Sequence, residues 1–210
     1  MFGKEVSDLA IGYLICLTRK IILIHNEVKG GAWPKYPGIS LENKRAAVIG
    51  FGDIGKNTTK RLLASDILVN IYDPFVYKND IFPKTTLLDW PNGIENCDFI
   101  FLTCSLNTST FHLLNEKVFD LMKKGVYIIN VSRGPLIDEN ALIKYLNNGK
   151  IGAIALDVFE KEPLPMSSKI RNFKNCIFGS HNASNTSEAV IKTSLKAIEL
   201  IASFLDKKDV

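Results

Sequence analysis

The stretch AAVIGFGDIG, residues 46–55, decides the fold. Its apolar run leads directly into Gly50, Gly52 and Gly55, which have the spacing G-x-G-x-x-G, and a helical pattern begins at Ile54. Three glycines alone could be ordinary turn residues. Here a second apolar run ends at Asp73, close to the offset of about 20 residues at which a ribose-binding acid is expected. Strand, glycine turn, helix and acid in this order favour a dinucleotide-binding unit.

Each glycine of this motif has a physical task. Gly50 permits a tight turn after the strand. Gly52 removes a side chain, so that the backbone can approach a pyrophosphate. Gly55 lets the helix pack closely against the strand. The three positions therefore predict a phosphate-binding turn.

The groups that would bind the cofactor follow from the same motif. The N–H groups of Asp53 and Ile54, at the positive end of the helix dipole, would receive the phosphates. Asp73 would accept hydrogen bonds from both ribose hydroxyls and would repel a 2′-phosphate. We therefore expect NAD as the cofactor rather than NADP.

Short apolar runs alternate with helical segments along the rest of the chain. The predicted strands are residues 46–49, 67–72, 98–103, 126–131, 152–156 and 176–179. The predicted helices are residues 54–64, 116–124, 139–147 and 187–205. The runs lack strict polar alternation, which is typical of strands buried on both faces of a parallel sheet. This alternation predicts an α/β fold with a doubly wound parallel sheet, the Rossmann fold.

The segment before the glycine motif has a different texture. Apolar residues at three- and four-residue steps predict one helix over residues 6–24. A loop rich in Gly and Pro follows over residues 29–40, and we expect its Trp33 and Tyr36 to anchor it on the body. Residues 1–40 are interpreted as a helix and loop packed on a nucleotide-binding domain of residues 41–210.

Composition excludes several classes of protein. The chain has 210 residues, 46% hydrophobic and 23% charged, with a net charge of +4, which fits neither a disordered nor a fibrous protein. Its lysines are scattered, so nucleic acid is not an expected partner. No apolar run approaches a membrane span, and Glu5 and Asp8 oppose a signal peptide. Four cysteines without C-x-x-C spacing predict reduced thiols, no metal site and a cytoplasmic location.

Three further groups follow predicted strands at the edge where ligands bind in such sheets. Arg133 follows residues 126–131, Glu162 follows residues 152–156, and His181 follows residues 176–179. Singly, they could be a surface ion pair, a solvated acid and a capping histidine. Together, beside a nucleotide motif, they suit a carboxylated substrate that exchanges a proton. His25 and His112 have no such neighbours in sequence and are interpreted as surface residues.

The order of these motifs resembles a known family. The segments NVSRGPLIDE (residues 130–139) and DVFEKEPLP (residues 157–165), followed by His181, are similar to the signatures of D-isomer-specific 2-hydroxyacid dehydrogenases. That family includes phosphoglycerate, glyoxylate/hydroxypyruvate and D-lactate enzymes. Residues 6–8 with Arg19 resemble its interdomain helix, so the resemblance covers nearly the whole chain.

The resemblance implies a role for each of these side chains. Arg133 would pair with the substrate carboxylate through its planar fork and hold the 2-oxygen. His181 would be the general base that takes the hydroxyl proton, and the acid in reverse. Glu162 would bond the other imidazole nitrogen and fix the tautomer. Asp157 would hold the nicotinamide carboxamide, although its position at a strand end also suits capping of the loop.

Five more residues are implied to line the cofactor site: Thr103, Cys104, Val131, Ser132 and Ala183. Thr103 and Cys104 lie in a segment where many relatives carry a histidine and a proline, which is a departure on the adenosine side.

The resemblance also implies an architecture and a function. Family members have a separate substrate domain, and on the order of 100 residues of that lid are expected to be absent here. The chain is interpreted as the cofactor-binding half of an NAD-dependent oxidoreductase acting on the CH–OH group of a D-2-hydroxy acid. Alone, it is expected to bind NAD with little or no turnover.

An NAD-binding sensor or interaction module without turnover remains the alternative. The presence of Arg133, Glu162 and His181 together favours the enzyme. Relatives also imply a homodimer, formed through the helix of residues 6–24 and the Trp33 loop.

Overall fold

A single parallel sheet organises the protein. The computed structural model describes residues 2–206. Seven parallel strands lie in the order β3-β2-β1-β4-β5-β6-β7. The strands are Arg45–Ile49 (β1), Leu68–Tyr72 (β2), Thr85–Leu87 (β3), Phe99–Leu102 (β4), Val126–Asn130 (β5), Ile151–Leu156 (β6) and Cys176–Phe178 (β7). The predicted doubly wound α/β fold is confirmed.

Helices precede, connect and follow these strands. They are Gly3–Thr18 (α1), Ile21–Lys29 (α2), Asp53–Leu63 (α3), Glu116–Leu121 (α4), Glu139–Asn147 (α5) and Ser187–Asp206 (α6). Short 3₁₀ turns lie at Lys78–Asp80, Ile94–Asn96, Gly134–Leu136 and Lys169–Asn172. Across the described residues, no helix is both long enough and apolar enough to cross a bilayer.

The apolar strands are buried on both faces. Because successive side chains of a strand point to opposite faces, each strand feeds two cores. Ile100 and Leu102 of β4 lie in the core under α4 and α5, whereas Phe99 and Phe101 lie in the core under α1 and α3. This two-sided burial is why the strands carry no polar alternation.

Helix α1 packs on the nucleotide-binding body rather than standing apart from it. Its Ala10 and Leu14 are wholly buried. Asp8 pairs with Arg61 of α3 at 2.6 Å. The division of the chain into residues 1–40 and 41–210 remains a prediction.

The prediction of one helix over residues 6–24 was wrong. The chain forms α1 and α2 instead, with Lys20 between them in the left-handed region at φ 54°. The Ile39 N–H donates to the Thr18 carbonyl at 2.9 Å, and the Thr18 hydroxyl donates to the Leu14 carbonyl at 2.8 Å. The bond from Ile39 satisfies the last carbonyl group of α1, so the helix can stop there.

The aromatic anchors were also misplaced. Trp33 is 81% exposed and does not anchor the loop on the described body. Tyr36 lies against α2 instead, where its hydroxyl donates to the Glu27 carboxylate at 3.0 Å. The loop of residues 30–40 therefore docks on α2 through Tyr36 and on the end of α1 through Ile39.

Two further differences concern the ends of the sheet. Strand β3, an edge strand of three residues that pairs with β2, was not predicted. The last predicted helix is present as α6, but its expected apolar stripe is exposed in the described structure. Its members Val190, Leu195, Ile198 and Ile201 are each more than half exposed.

Candidate active site

The sheet order creates a crevice at its centre. From β1 the strands run one way to β2 and β3, and from the adjacent β4 they run the other way to β7. Connections therefore leave β1 and β4 toward opposite faces, and open α/β sheets bind ligands at such a point, beyond the carboxyl ends of the strands. The G-x-G-x-x-G turn follows β1 at this place.

The three glycines do different things in the structure. Gly50 has φ +92°, and a Cβ there would lie 2.5 Å from the Cα of Cys104. A Cβ on Gly55 would lie 2.0 Å from the Gly50 carbonyl oxygen, so α3 approaches the turn too closely for any side chain. A Cβ on Gly52 would meet nothing within 4 Å. The backbone at Gly52 thus faces open space.

That open space lies in front of helix amides. The first hydrogen bond at the start of α3 runs from the Lys56 N–H to the Gly52 carbonyl at 2.9 Å. The N–H groups of Ile54 and Gly55 precede it and have no partner within the helix. The Asp53 carboxylate accepts the Gly3 N–H at 3.1 Å and so bonds to α1. An open cradle at a helix N-terminus fits the diphosphate of NAD.

Asp73 follows β2 at the edge of the same crevice. Its Oδ2 accepts the Phe51 N–H at 2.7 Å and its Oδ1 accepts the Phe75 N–H at 2.9 Å. Each carboxylate oxygen has a second lone pair. The carboxylate is therefore fixed in orientation and still able to accept hydrogen bonds from ribose hydroxyls.

The predicted cofactor residues after β4 and β5 support the turn from within. The Thr103 hydroxyl donates to the carbonyl groups of Ile49 and Gly50, at 3.0 and 2.7 Å. The Ser132 hydroxyl donates to the Cys104 carbonyl. Burial raises the pKa of the Cys104 thiol to about 11, so this thiol is neutral near pH 7. Val131 and Ser132 are buried.

Glu162 and His181 meet as the sequence predicted. His181 Nδ1 lies 2.7 Å from Glu162 Oε2, and Glu162 Oε1 accepts the Phe159 N–H at 3.0 Å. Burial acts to raise the pKa of Glu162, but these hydrogen bonds and the charges of His181 and Arg133 outweigh it and hold that pKa below its usual value. The carboxylate therefore stays ionised beside the imidazole.

The imidazole stands at the rim of a cleft. The His181 side chain is 48% exposed, and its backbone has φ 58°. The cleft has a volume of about 510 Å³, and apolar Phe159, Leu164 and Phe178 line it beside Glu162 and His181. This arrangement leaves an ionisable pair open to a small molecule.

Arg133 lies on the neighbouring turn. It precedes the 3₁₀ turn Gly134–Leu136, and its side chain is exposed. Its Nη1 donates to the Ser132 carbonyl at 2.6 Å. Its remaining N–H donors can serve an anion.

Asp157 caps the loop that carries His181. Its side chain is buried and accepts the Ala183 N–H at 2.8 Å and the Asn182 N–H at 3.3 Å. The Tyr13 hydroxyl lies 3.4 Å from Asp157 Oδ1. Burial and the Asp157 charge raise the pKa of Tyr13, which keeps it neutral. Of the two expected uses of Asp157, the structure shows the cap, and contact with nicotinamide stays a prediction.

Sequence reasoning missed one polar cluster. The sequence predicts His112 to be a surface residue, but its Nε2 lies 2.9 Å from Glu160 Oε1, and Asp138 is close by. Glu160 also accepts the Glu139 N–H, and Asp138 accepts the Ala141 N–H. Both acids therefore cap α5, whose N-terminus carries partial positive charge and disfavours a cation. No local sequence pattern announces this contact.

Comparison with known proteins places the chain in a family. Residues 11–183 match the family described as D-isomer specific 2-hydroxyacid dehydrogenase, NAD binding domain. The chain belongs to this family. Membership confirms NAD as the cofactor type and confirms the resemblance seen in the sequence.

The chain is also similar to individual known proteins. The chain is 35% identical over 193 residues to a glyoxylate reductase of Thermofilum pendens, covering 88% of this chain and 57% of the relative. It is 34% identical to a hydroxypyruvate reductase of Thermotoga maritima, covering 95% of this chain and 66% of the relative. The apo-structure of D-lactate dehydrogenase from Escherichia coli superposes with a TM-score of 0.90 at 31% identity, covering 98% of this chain and 66% of that one. The chain thus spans about three fifths of these proteins.

Proposed function

We propose that this protein provides the cofactor-binding half and the proton-transfer groups of an NAD-dependent oxidoreductase acting on a D-2-hydroxy acid. The observation that carries the proposal is the Glu162–His181 contact of 2.7 Å beside the crevice formed by the glycine turn. An NAD-binding domain needs no such pair to hold its cofactor. A carboxylate that orients an exposed imidazole is the arrangement expected of a general acid–base group.

The residues then have the following roles. When bound, NAD supplies the hydride acceptor or donor. Because Glu162 occupies Nδ1 of His181, Nε2 is the nitrogen left to take the hydroxyl proton in oxidation or return it in reduction. Arg133 binds the substrate carboxylate with the guanidinium N–H groups that do not donate to the Ser132 carbonyl. Its charge also stabilises the ionised Glu162.

Substrate, assembly and location are part of the proposal. The named relatives include a glyoxylate reductase and a hydroxypyruvate reductase, which supports a small 2-oxo or 2-hydroxy acid. Exposed apolar residues on α1, α2 and the following loop support a homodimer through that face; they include Ile15, Ile21, Ile22, Val28 and Trp33. All four cysteines lie in the described part of the chain as free thiols, which supports the cytoplasm.

The test combines binding with turnover. NADH is titrated into the chain by calorimetry, and NADH oxidation is then followed by absorbance with glyoxylate and with hydroxypyruvate. We expect NADH binding, binding of at least one acid with slow turnover at most, and loss of that turnover in His181→Gln with NADH affinity kept. NADH binding with no response to any 2-oxo acid, either in turnover or in binding, would instead support the sensor module.

A further inference from the structure

Asn130 is a polar residue buried inside the sheet. It ends β5, between Leu102 of β4 and Leu156 of β6, and its side chain is wholly buried. A carboxamide in such apolar surroundings is costly unless it is hydrogen-bonded. Its Oδ1 accepts the Ser132 N–H at 3.0 Å, and its Nδ2 donates to the Arg133 carbonyl at 2.9 Å.

These two bonds define the path of the chain after the strand. They hold the backbone on both sides of the peptide that joins Ser132 to Arg133. Arg133 is extended at φ −141° and ψ 139°, and its carbonyl also accepts the Leu136 N–H at 3.3 Å. The side chain of Asn130 therefore sets the direction in which the Arg133 side chain leaves the turn.

The turn that carries Arg133 also contacts the loop that carries Glu162. A Cβ on Gly134 would lie 1.9 Å from the carbonyl carbon of Phe159, so the two backbones are in direct contact. The Phe159 N–H in turn donates to Glu162 Oε1 at 3.0 Å. A turn displaced by loss of the Asn130 bonds would press on the segment that orients Glu162.

We infer that Asn130 is a positioning residue for substrate recognition. It acts through the backbone of the turn on Arg133. The inference rests on the proposed role of Arg133 as the carboxylate clamp. It predicts that loss of the carboxamide weakens binding of the 2-oxo acid while leaving NADH binding intact.

The variant that tests this is Asn130→Asp. It keeps the shape and the acceptor for Ser132, but it places an oxygen against the Arg133 carbonyl where the donor was. The matched control is Asn115→Asp. Asn115 spans a turn in the same way, since its Oδ1 accepts the Val118 N–H at 3.4 Å and its Nδ2 donates to the His112 carbonyl at 3.0 Å.

The readouts are the half-saturating glyoxylate concentration of the NADH complex and the NADH dissociation constant. We expect Asn130→Asp to raise the first about tenfold, as for a buried donor lost at a constrained turn, and to change the second by less than about twofold. Asn115→Asp should change neither. A buried aspartate also has a raised pKa, and its neutral acid can donate again, so the defect relative to wild type should shrink as pH falls.

A double-mutant cycle separates positioning from general damage. Arg133→Lys keeps the charge but loses the planar fork, so it removes what Asn130 is inferred to orient. In that background Asn130→Asp should add less than about twofold to the half-saturating concentration. The same tenfold loss in both backgrounds would overturn the inference.

A second measurement needs neither turnover nor a stable variant. Hydrogen exchange of the Ser132 amide in the unaltered chain should be slow, because its acceptor is the buried Asn130 side chain. Fast exchange would refute the inference that Asn130 holds the turn. A chain that binds no 2-oxo acid refutes the proposed function and this inference together, whereas glyoxylate binding that responds to Arg133→Lys but not to Asn130→Asp refutes this inference alone.

Discussion

The cofactor crevice makes a sharp prediction at Gly52. A methyl group there meets no protein atom within 4 Å, and the residue has φ −73° and ψ −156°, an extended conformation open to alanine. Gly52→Ala should therefore fold normally. Since glycine and alanine differ modestly at a helix N-cap, we expect the free energy of unfolding to change by less than about 1 kcal/mol.

Binding of NADH should respond very differently. The added methyl group occupies the space through which the diphosphate approaches the amides of Ile54 and Gly55. Charge-assisted hydrogen bonds contribute about 1.5–3 kcal/mol each, so loss of two weakens binding by at least about 3 kcal/mol. At about 1.4 kcal/mol per tenfold, this is more than a hundredfold in the dissociation constant.

The assay pairs calorimetric titration of NADH with thermal unfolding in the absence of cofactor. Gly12→Ala is the matched control, because Gly12 lies within α1 and a Cβ there also meets nothing within 4 Å. That control should raise stability by up to about 1 kcal/mol through helix propensity and leave NADH affinity unchanged. If Gly52→Ala bound NADH within threefold of wild type, the diphosphate would not lie where the amides point, and the assignment of the crevice would fail.

Three more substitutions test other parts of the site. Gly55→Ala should destabilise the fold by more than about 3 kcal/mol, since its Cβ would lie 2.0 Å from the Gly50 carbonyl oxygen; a normal melting temperature would contradict this close approach. Asp73→Asn should weaken NADH binding about tenfold and reduce the preference for NADH over NADPH. Titration of both cofactors measures this preference, and an unchanged ratio of the two dissociation constants would contradict the role of Asp73. Glu162→Gln should alter how stability depends on pH. The folded pKa of Glu162 is lowered from 4.5, so its contribution is complete above that value and is lost as pH falls through the lower one; parallel melting curves for variant and wild type across that range would count against the His181 contact.

Much of the fold was predictable because its strands are short, apolar and buried on both faces. The six predicted strands all occur, with each end within one residue of its prediction, and helix α5 has the predicted bounds. Strand β3 was missed because Thr85, Thr86 and Leu87 form only a short, partly exposed edge. Three residues with one aliphatic side chain produce no periodic signal.

The break between α1 and α2 could not have been found from local pattern. Apolar residues continue through Ile21 and Ile24 at helical spacing. What ends α1 is the Ile39 N–H, which reaches the Thr18 carbonyl from beyond the following loop. A contact between residues so far apart in sequence decides a helix end that propensity alone would pass over.

The site was predictable for a geometric reason. In a parallel sheet the carboxyl ends of the strands share one edge, so the sequence predicts that Glu162 and His181 lie close together. In the structure His181 Nδ1 lies 2.7 Å from Glu162 Oε2. The His112–Glu160 contact had no such guide, because His112 lies in a loop well beyond the end of β4. Position relative to a strand end predicts which side chains gather, but not how loops fold back over them.

The division of labour within these motifs also follows from burial. Asn130, Thr103 and Asp157 are buried, and their hydrogen-bonding groups serve backbone turns. Arg133 and His181 are exposed and keep donors or acceptors that no protein group in the described structure uses. A single sequence motif therefore contains two kinds of polar residue. The buried residues hold the turns in shape, and the exposed residues, which keep free donors or acceptors, carry the chemistry. Asn130 must therefore be tested by its effect on Arg133 and not as a catalytic residue in its own right.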